Sequence, residues 1–405
     1  MTSRLFGAAL VLGLLSAIGP FAIDMYLPAL PSIQRSLHTD VDAAQMSLMA
    51  FFAAIAAGQV IYGPVSDMLG RKPPIYFGLC LFALASIGCA LAPDIHTLIA
   101  ARFVQGLGAC AGMVIPRAIV RDLHTGVEAA KLMALLMLVF SVSPILAPLT
   151  GSLVVRLSDW RGIFWIVTGA ALLGLLLAAF VLQETRTKAK RVESSLRSAL
   201  AAYRTLLKDP EFLGLVFVCA FGVSSFFIYL ANSSFVLIGH YGLTPTQYGL
   251  AFSVNAVSFI GAAQFTGRLG GRFGLRRVVR TAVAGYMATM LLLLALTAAG
   301  LDRLGLLMAL LFVGYGFLGL VTPTTAVLAL DRHGPIAGTA SALMGTLQFV
   351  TGAGLIAVVG RFLDGTALPM VGGIAGCAVV AFLLARLTLR RDGEPTVGGV
   401  VAEQA

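Results

Sequence analysis

Gly63-Pro64-Val65-Ser66-Asp67-Met68-Leu69-Gly70-Arg71-Lys72 decides the architecture, because the chain carries a second version of it: Gly267-Arg268-Leu269-Gly270-Gly271-Arg272-Phe273-Gly274-Leu275-Arg276-Arg277. The offset is 204 residues in a chain of 405. Gly63 falls on Gly267, Gly70 on Gly274 and Lys72 on Arg276, while Asp67 meets Gly271. Each version reads as a short charged loop between two apolar runs. A repeat of half-chain period points to duplicated bundles, the plan of many membrane transporters, with a substrate site at midplane between the halves.

Outward from these loops the chain is apolar almost throughout. Hydrophobic residues make up 59% and charged residues 11%, against about 25% charged in a soluble domain. Mean hydropathy is +0.94. So few charges cannot cover a globular surface, which leaves a polytopic membrane protein. Strand-like alternation is missing, which excludes an outer-membrane barrel. A spanning helix needs about 20 mostly apolar residues. Twelve runs qualify, at 5–30, 44–63, 75–93, 97–119, 132–155, 162–183, 212–238, 247–269, 278–299, 304–330, 336–360 and 367–389. The first run is too long for a signal-peptide core and lacks a convincing small-residue cleavage site, so it reads as a retained helix.

The expected fold is therefore an all-α polytopic membrane protein with twelve transmembrane helices in two six-helix bundles. Residues 1–183 form the N-terminal bundle, 184–211 a cytoplasmic linker, 212–389 the C-terminal bundle and 390–405 a cytoplasmic tail. In the linker, Leu196, Leu200, Tyr203 and Leu207 recur at helical spacing. That pattern fits an amphipathic helix on the inner leaflet; a solvated connector is the equal alternative.

The net charge of +10 and pI of about 9.7 do not indicate nucleic-acid binding, because the basic residues lie between apolar runs. They act instead as orientation signals. The side holding both termini carries 22 of the 28 Lys and Arg, the opposite side five, and Arg102 lies inside a span. That asymmetry places both termini in the cytoplasm of a bacterial inner membrane. Cys80, Cys89, Cys110, Cys219 and Cys377 fall in apolar runs without metal spacing, and no metal or other cofactor is expected.

Asp24 is the one acid placed well inside a span. An ionised Asp at a helix centre costs on the order of 2.5–3.5 kcal/mol on insertion scales, and such residues mark proton and ion pathways. The alternative is that Asp24 only caps the first helix at the outer interface, since Pro20, Pro28 and Pro31 bracket it. Arg102 lies at matching depth in the fourth run and is its natural partner; snorkelling to the outer headgroups is the bland reading. Asp67, at the inner end of the second span, could cap a helix in the other half, with Gly334-Pro335 as the candidate terminus.

These features together resemble the major facilitator superfamily, in its drug:proton antiporter branch, and most of all the bicyclomycin/chloramphenicol resistance group. Gly63–Lys72 matches the superfamily's loop signature. Arg102-Phe103-Val104-Gln105-Gly106-Leu107-Gly108-Ala109-Cys110-Ala111-Gly112 matches the span-four signature. Pro144, Pro148 and Gly151 resemble the span-five antiporter motif, with Ser152 where a second Gly is common. Asp24-Met25-Tyr26-Leu27-Pro28 looks like the branch's first-helix signature, and Trp160-Arg161 before span six fits too.

The resemblance implies a proton-coupled multidrug efflux transporter with Asp24 as coupling carboxylate and Arg102 as its regulator. Gly63, Asp67, Gly70, Arg71 and Lys72 would belong to a conformational latch. Spans one, four, seven and ten would line the cavity, with help from two, five, eight and eleven. Candidate lining residues are Tyr26, Gln105 and Met113, then Phe227, Tyr229, Asn232, Asn255, Phe259, Tyr315 and Phe317; each could equally be interhelical packing. The expected partners are a small amphipathic or apolar drug-like substrate, protons and the lipid bilayer, with the protein a monomer. The rival reading is a uniporter or symporter for a small metabolite. No Walker A, HExxH or GxSxG motif in context supports an enzyme or an ATP-driven pump.

Overall fold

A computed structural model describes residues 3–123, 126–186, 196–333 and 336–389. The described residues are helical, without strands. In chain order the helices are α1 (Ser3–Asp24), α2 (Leu30–Ser36), α3 (Val41–Leu69), α4 (Lys72–Ala90), α5 (Ile95–Leu123), α6 (Gly126–Leu157) and α7 (Arg161–Phe180). They continue as α8 (Leu196–Leu207), α9 (Pro210–Ser234), α10 (Pro245–Ala263), α11 (Thr266–Phe273), α12 (Leu275–Ala298), α13 (Leu304–Asp331), α14 (Ala337–Gly360) and α15 (Leu368–Thr388). Eleven segments are long and apolar enough to cross a membrane, and α6 supplies a shorter apolar stretch, Val142–Leu157.

The helix ends follow local chemistry. Asp40 caps α3 by accepting a hydrogen bond from the Ala43 amide at 2.7 Å. Asp209 accepts from the Glu211 and Phe212 amides to open α9, with Pro210 in the first turn where no amide donor is needed. Thr244 and Gln247 form a reciprocal capping box at α10.

Two six-helix bundles result. In the first, α5 packs on α3, α4 and α1, and α7 on α4; in the second, α9 and α12 pack on α13 and α15. Two helix pairs join the bundles, α3 with α14 and α6 with α10. Glycines permit the close approaches. A Cβ at Gly106 would meet the Phe51 carbonyl oxygen at 2.5 Å, one at Gly108 the Phe82 amide at 2.5 Å, and one at Gly112 the Leu15 carbonyl at 2.5 Å. The span-four signature thus seats α5 against three neighbours at once.

Two expectations change. The first run is a broken helix: α1 stops at Asp24, a single 3₁₀ turn spans Leu27–Ala29, and α2 follows, so the span Leu10–Ser36 kinks where Pro28 and Pro31 interrupt amide donation. The stretch 63–69 is helical rather than a loop, forming the last turns of α3, and its second version is α11. Within the two versions of the motif Gly70 and Gly274 break the helices, at φ of +99° and +80°, a region that glycine enters without strain. Of the two equal readings of the linker, a helix is present over Leu196–Leu207 as α8; residues 187–195, the tail from 390 and Gly334-Pro335 lie outside the described residues.

Candidate functional site

A cavity of about 380 Å³ lies between the bundles. Pro20, Ile23 and Asp24 reach it from α1, Gln59 from α3, Met113, Val114 and Arg117 from α5, and Pro144 from α6. The second bundle supplies Phe226, Phe227 and Leu230 from α9, and Ser341, Met344, Gln348 and Phe349 among others from α14. The wall is mostly aromatic, Met and aliphatic, with an acid, a guanidinium, two amides and a hydroxyl set into it. Such a lining suits an apolar molecule with a few polar groups.

Asp24 ends α1 beside the break. It is 5% exposed and accepts a hydrogen bond from Ser143 Oγ of α6 at 3.2 Å. No cation lies within ion-pair distance of it among the described residues. Arg102 is fully buried, but it does not pair with Asp24. Its Nη1 donates to Gln105 Oε1 at 2.6 Å and to the Ala22 carbonyl at 3.3 Å. Its guanidinium lies 4.5 Å from the Tyr26 ring centre and 4.1 Å from that of Phe51, a cation–π cage. The depths of Asp24 and Arg102 match; their directions differ. Residues 22 and 24 sit roughly 200° apart around a helix, so the face meeting Arg102 is not the one carrying the Asp24 carboxylate. Snorkelling is also excluded, because the guanidinium is enclosed.

Several proposed lining residues lie elsewhere. Among them only Met113 and Phe227 line the cavity. Tyr26 is buried with its hydroxyl on Ser47 Oγ at 2.6 Å, and Gln105 serves Arg102 and Ser86. Asn255 donates to the Tyr229 hydroxyl at 3.0 Å. Asn232 accepts from Gln45 of α3 at 2.9 Å and so joins the bundles. Tyr315 and Phe259 pack against Phe226, one ring back from the cavity, and Phe317 lies over Gly285 of α12. α13 therefore contributes nothing to the lining; α14, leaning between α3 and α9, takes that wall. Gln59, Gln348, Phe226 and Phe349 also line the cavity, outside every motif of the sequence. The two glutamines carried a readable signal, a polar residue within an apolar run.

At the end holding the termini, Arg71 is 4% exposed at its side chain and gathers three partners. It bonds Asp122 through Nε at 2.7 Å and Nη2 at 3.2 Å, Asp67 at 2.8 Å and Ser66 Oγ at 2.8 Å. The Arg71 and Lys72 amides donate to Glu184 at 2.9 and 3.1 Å. Lys72 Nζ donates to the Leu182 carbonyl just past α7 at 2.7 Å. Burial works against charge on Arg71, but its bonds to Asp122 and Asp67 outweigh that and raise its pKa. Burial likewise opposes the Asp122 carboxylate, yet the bonds from Arg71 and Thr185 hold its pKa below the ordinary value.

Pro144 lines the cavity, Pro148 offers its carbonyl to Ser152, and Gly151 abuts the Met25 backbone. The departure at Ser152 has a use: its hydroxyl also donates to the Pro245 carbonyl of α10 at 2.7 Å. Ser253 of α10 in turn donates to the Ile145 carbonyl at 2.8 Å, and Thr346 of α14 to the Ala56 carbonyl at 3.2 Å.

Two bundles around a mixed cavity are the plan of a membrane transporter. The family model described as Major Facilitator Superfamily matches residues 12–357. The chain belongs to that superfamily, whose members are transporters and not enzymes. The chain is 37% identical to the MFS-type transporter YdgK of Bacillus subtilis, over 95% of this chain and 96% of the relative. It is 32% identical to a bicyclomycin resistance protein homolog of Haemophilus influenzae, over 92% and 94%. It is 30% identical to a chloramphenicol resistance protein of Pseudomonas aeruginosa, over 91% and 87%. These names support the drug:proton antiporter group recognised in the sequence. A crystal structure of a D-xylose-proton symporter matches with a TM-score of 0.71 at 16% identity, covering 95% of this chain and 97% of that one, a likeness of fold.

Proposed function

We propose that the protein is a drug:proton antiporter of the bacterial inner membrane that exports small, mostly apolar compounds. The observation that carries this reading is Asp24, an acid in the wall of the same cavity that offers Phe226, Phe227, Phe349, Met113 and Met344 to a substrate. Proton and drug then compete for one space. Protonation from outside neutralises the carboxylate and releases the drug; loss of the proton inside resets the site. The names of the resistance-protein relatives support a drug-like cargo. The charge asymmetry of the loops supports cytoplasmic termini. Because both bundles and the cavity come from one chain, the unit acts as a monomer. One charge moved through 100 mV supplies about 2.3 kcal/mol, enough to sustain a sizeable gradient of a neutral drug.

Arg102 is a positioning residue in this scheme. Its cage fixes Tyr26 and the break after Asp24 against α3 and α5. The test is transport in proteoliposomes under an imposed pH gradient, with chloramphenicol as the first probe of a drug panel. Asp24→Asn is expected to abolish pH-driven accumulation while still binding and exchanging drug without a gradient. A well-folded variant that builds the wild-type gradient would remove Asp24 from the mechanism.

A further inference from the structure

The buried amide side chains of this protein have partners, with one exception. Gln45 donates to Asn232 and to the Ala231 carbonyl, and Gln105 serves Arg102 and Ser86. Asn232 donates to the Ile228 carbonyl, and Asn255 to Tyr229. Gln59 of α3 is also buried, at 8% exposed, yet its side chain makes no hydrogen bond among the described residues. It forms part of the wall of the transport cavity. Buried polar groups are almost always satisfied, so a bare amide facing a cavity points to a partner from outside the chain.

The place of this amide is built by the opposite bundle. The Gln59 carboxamide crosses from α3 onto α14 and lies over Gly345, where a Cβ would come 2.0 Å from its Oε1 and 3.0 Å from its Nε2. A larger residue there would push the amide off its seat. Ser341 and Phe349 lie one turn to either side of Gly345 on the same face of α14, and both line the cavity. The Ser341 hydroxyl also makes no hydrogen bond among the described residues. Phe349 stacks on Phe227 of α9 with ring centres 5.2 Å apart. The cavity thus sets unpaired polar groups one turn, about 6 Å along the helix, from an aromatic pair.

We propose that Gln59 is a specificity-determining residue of the transport cavity, its carboxamide on Gly345 hydrogen-bonding an amide or hydroxyl of the substrate while an aromatic end lies against Phe227 and Phe349. The class selected is a neutral arene with a hydrogen-bonding group about 6 Å from the ring. A carboxamide both donates and accepts, so it takes either group. Water meets its needs in the empty cavity, and a ligand that displaces that water without replacing the bond loses affinity. Sites built around a buried polar group reject analogues that cannot pair with it. A lipophilic cation without such a group leaves Gln59 dry and unpaired. The assignment rests on the cavity being the drug site, as proposed above.

The experiment is equilibrium binding of two probes to the detergent-purified protein at one pH. Chloramphenicol carries hydroxyls and an amide; tetraphenylphosphonium carries neither. Gln59→Met keeps the length of the side chain and removes the amide. It should weaken chloramphenicol about tenfold, the loss of one buried hydrogen bond, while tetraphenylphosphonium holds or tightens. Gly345→Ala keeps the amide but displaces it, and should shift the ratio of the two affinities the same way by about threefold. A glutamine with only a packing role would lower both affinities together. A ratio that stays at the wild-type value in either variant, whether both affinities hold or both fall, overturns the assignment. Wild type binding neither probe would sink the drug-export reading and this one with it; binding with an unmoved ratio sinks this one alone.

Discussion

The two versions of the repeated motif share a backbone and differ in their electrostatics. Gly70 and Gly274 both end a helix at positive φ, and an α-helix follows each almost at once. In the first version Asp67, Arg71, Asp122 and Glu184 form a half-buried network tying α3, α5 and the segment after α7 together. In the second, Gly271 replaces the acid and α11 has no buried residue. Leu275 stands at the position of Arg71, and Arg276, at the position of Lys72, turns to Glu211 at the start of α9 at 2.9 Å, where Arg332 from the end of α13 also arrives. These side chains are 28–66% exposed, against 4% for Arg71. Duplication preserved what the chain needs in order to turn. The charge network was built separately in each half, and only one of the two was buried.

Arg71→Ala is the hardest test of that difference. It takes from Asp122, whose side chain is 15% exposed, its bidentate cation and leaves the Thr185 hydroxyl; breaking a buried pair from one side costs roughly 3–5 kcal/mol. A large fall in Tm in detergent is expected, together with loss of transport; a change below about 1 kcal/mol would make the two versions equivalent.

The same pair sets a pH dependence. The Asp122 pKa is lower in the folded protein than in the unfolded chain, so its contribution is present above the ordinary carboxylate value of about 3.9 and is lost as pH falls through the folded value. Thermal melts taken downward from pH 7 should show wild type losing stability at the acid end, with Arg71→Ala flatter there.

Where the backbones agree, the effects should agree. Gly70→Ala and Gly274→Ala should each cost about 1–3 kcal/mol, because both positions hold a conformation that side chains rarely adopt. Unequal shifts in Tm would show that the turns are not equivalent. The smallest effect belongs to Glu211→Gln, at most about 1 kcal/mol for such exposed pairs, read as a minor shift in Tm.

How much of this could be read beforehand depends on distance along the chain. The spans were legible because apolar runs of membrane length have few other uses. The Asp67–Arg71 contact, one helical turn long, becomes legible only once 63–69 is helical rather than the loop expected, with Asp67 turned to its own neighbour instead of a helix in the other half. Asp122 and Glu184, 51 and 113 residues from Arg71, were not legible, since nothing local marks a long-range partner. Asp24 and Arg102 show the limit from another side. Hydropathy gives depth in the bilayer but not direction around a helix, and direction sent one to Ser143 and the other into an aromatic cage. Five of the six aromatic candidates lie off the cavity and Phe227 lines it, because ring packing and cavity lining use the same residues; Tyr315 and Phe227 look alike until α14 is placed.

The hydroxyls between the bundles have a mechanical consequence. Ser152 donates to Pro245 of the other bundle and also lies 2.6 Å from the Pro148 carbonyl of its own helix. Ser253 likewise lies 2.8 Å from both Ile145 across the seam and Gly249 behind it. An orphaned buried donor costs about 1–3 kcal/mol, and neither serine would be orphaned if the bundles parted. Each hydroxyl has one proton to share between a carbonyl across the seam and one on its own helix, so separation leaves it on its home carbonyl. Such a seam behaves as a friction clutch rather than a bolt: it carries load when engaged and disengages without breaking a part.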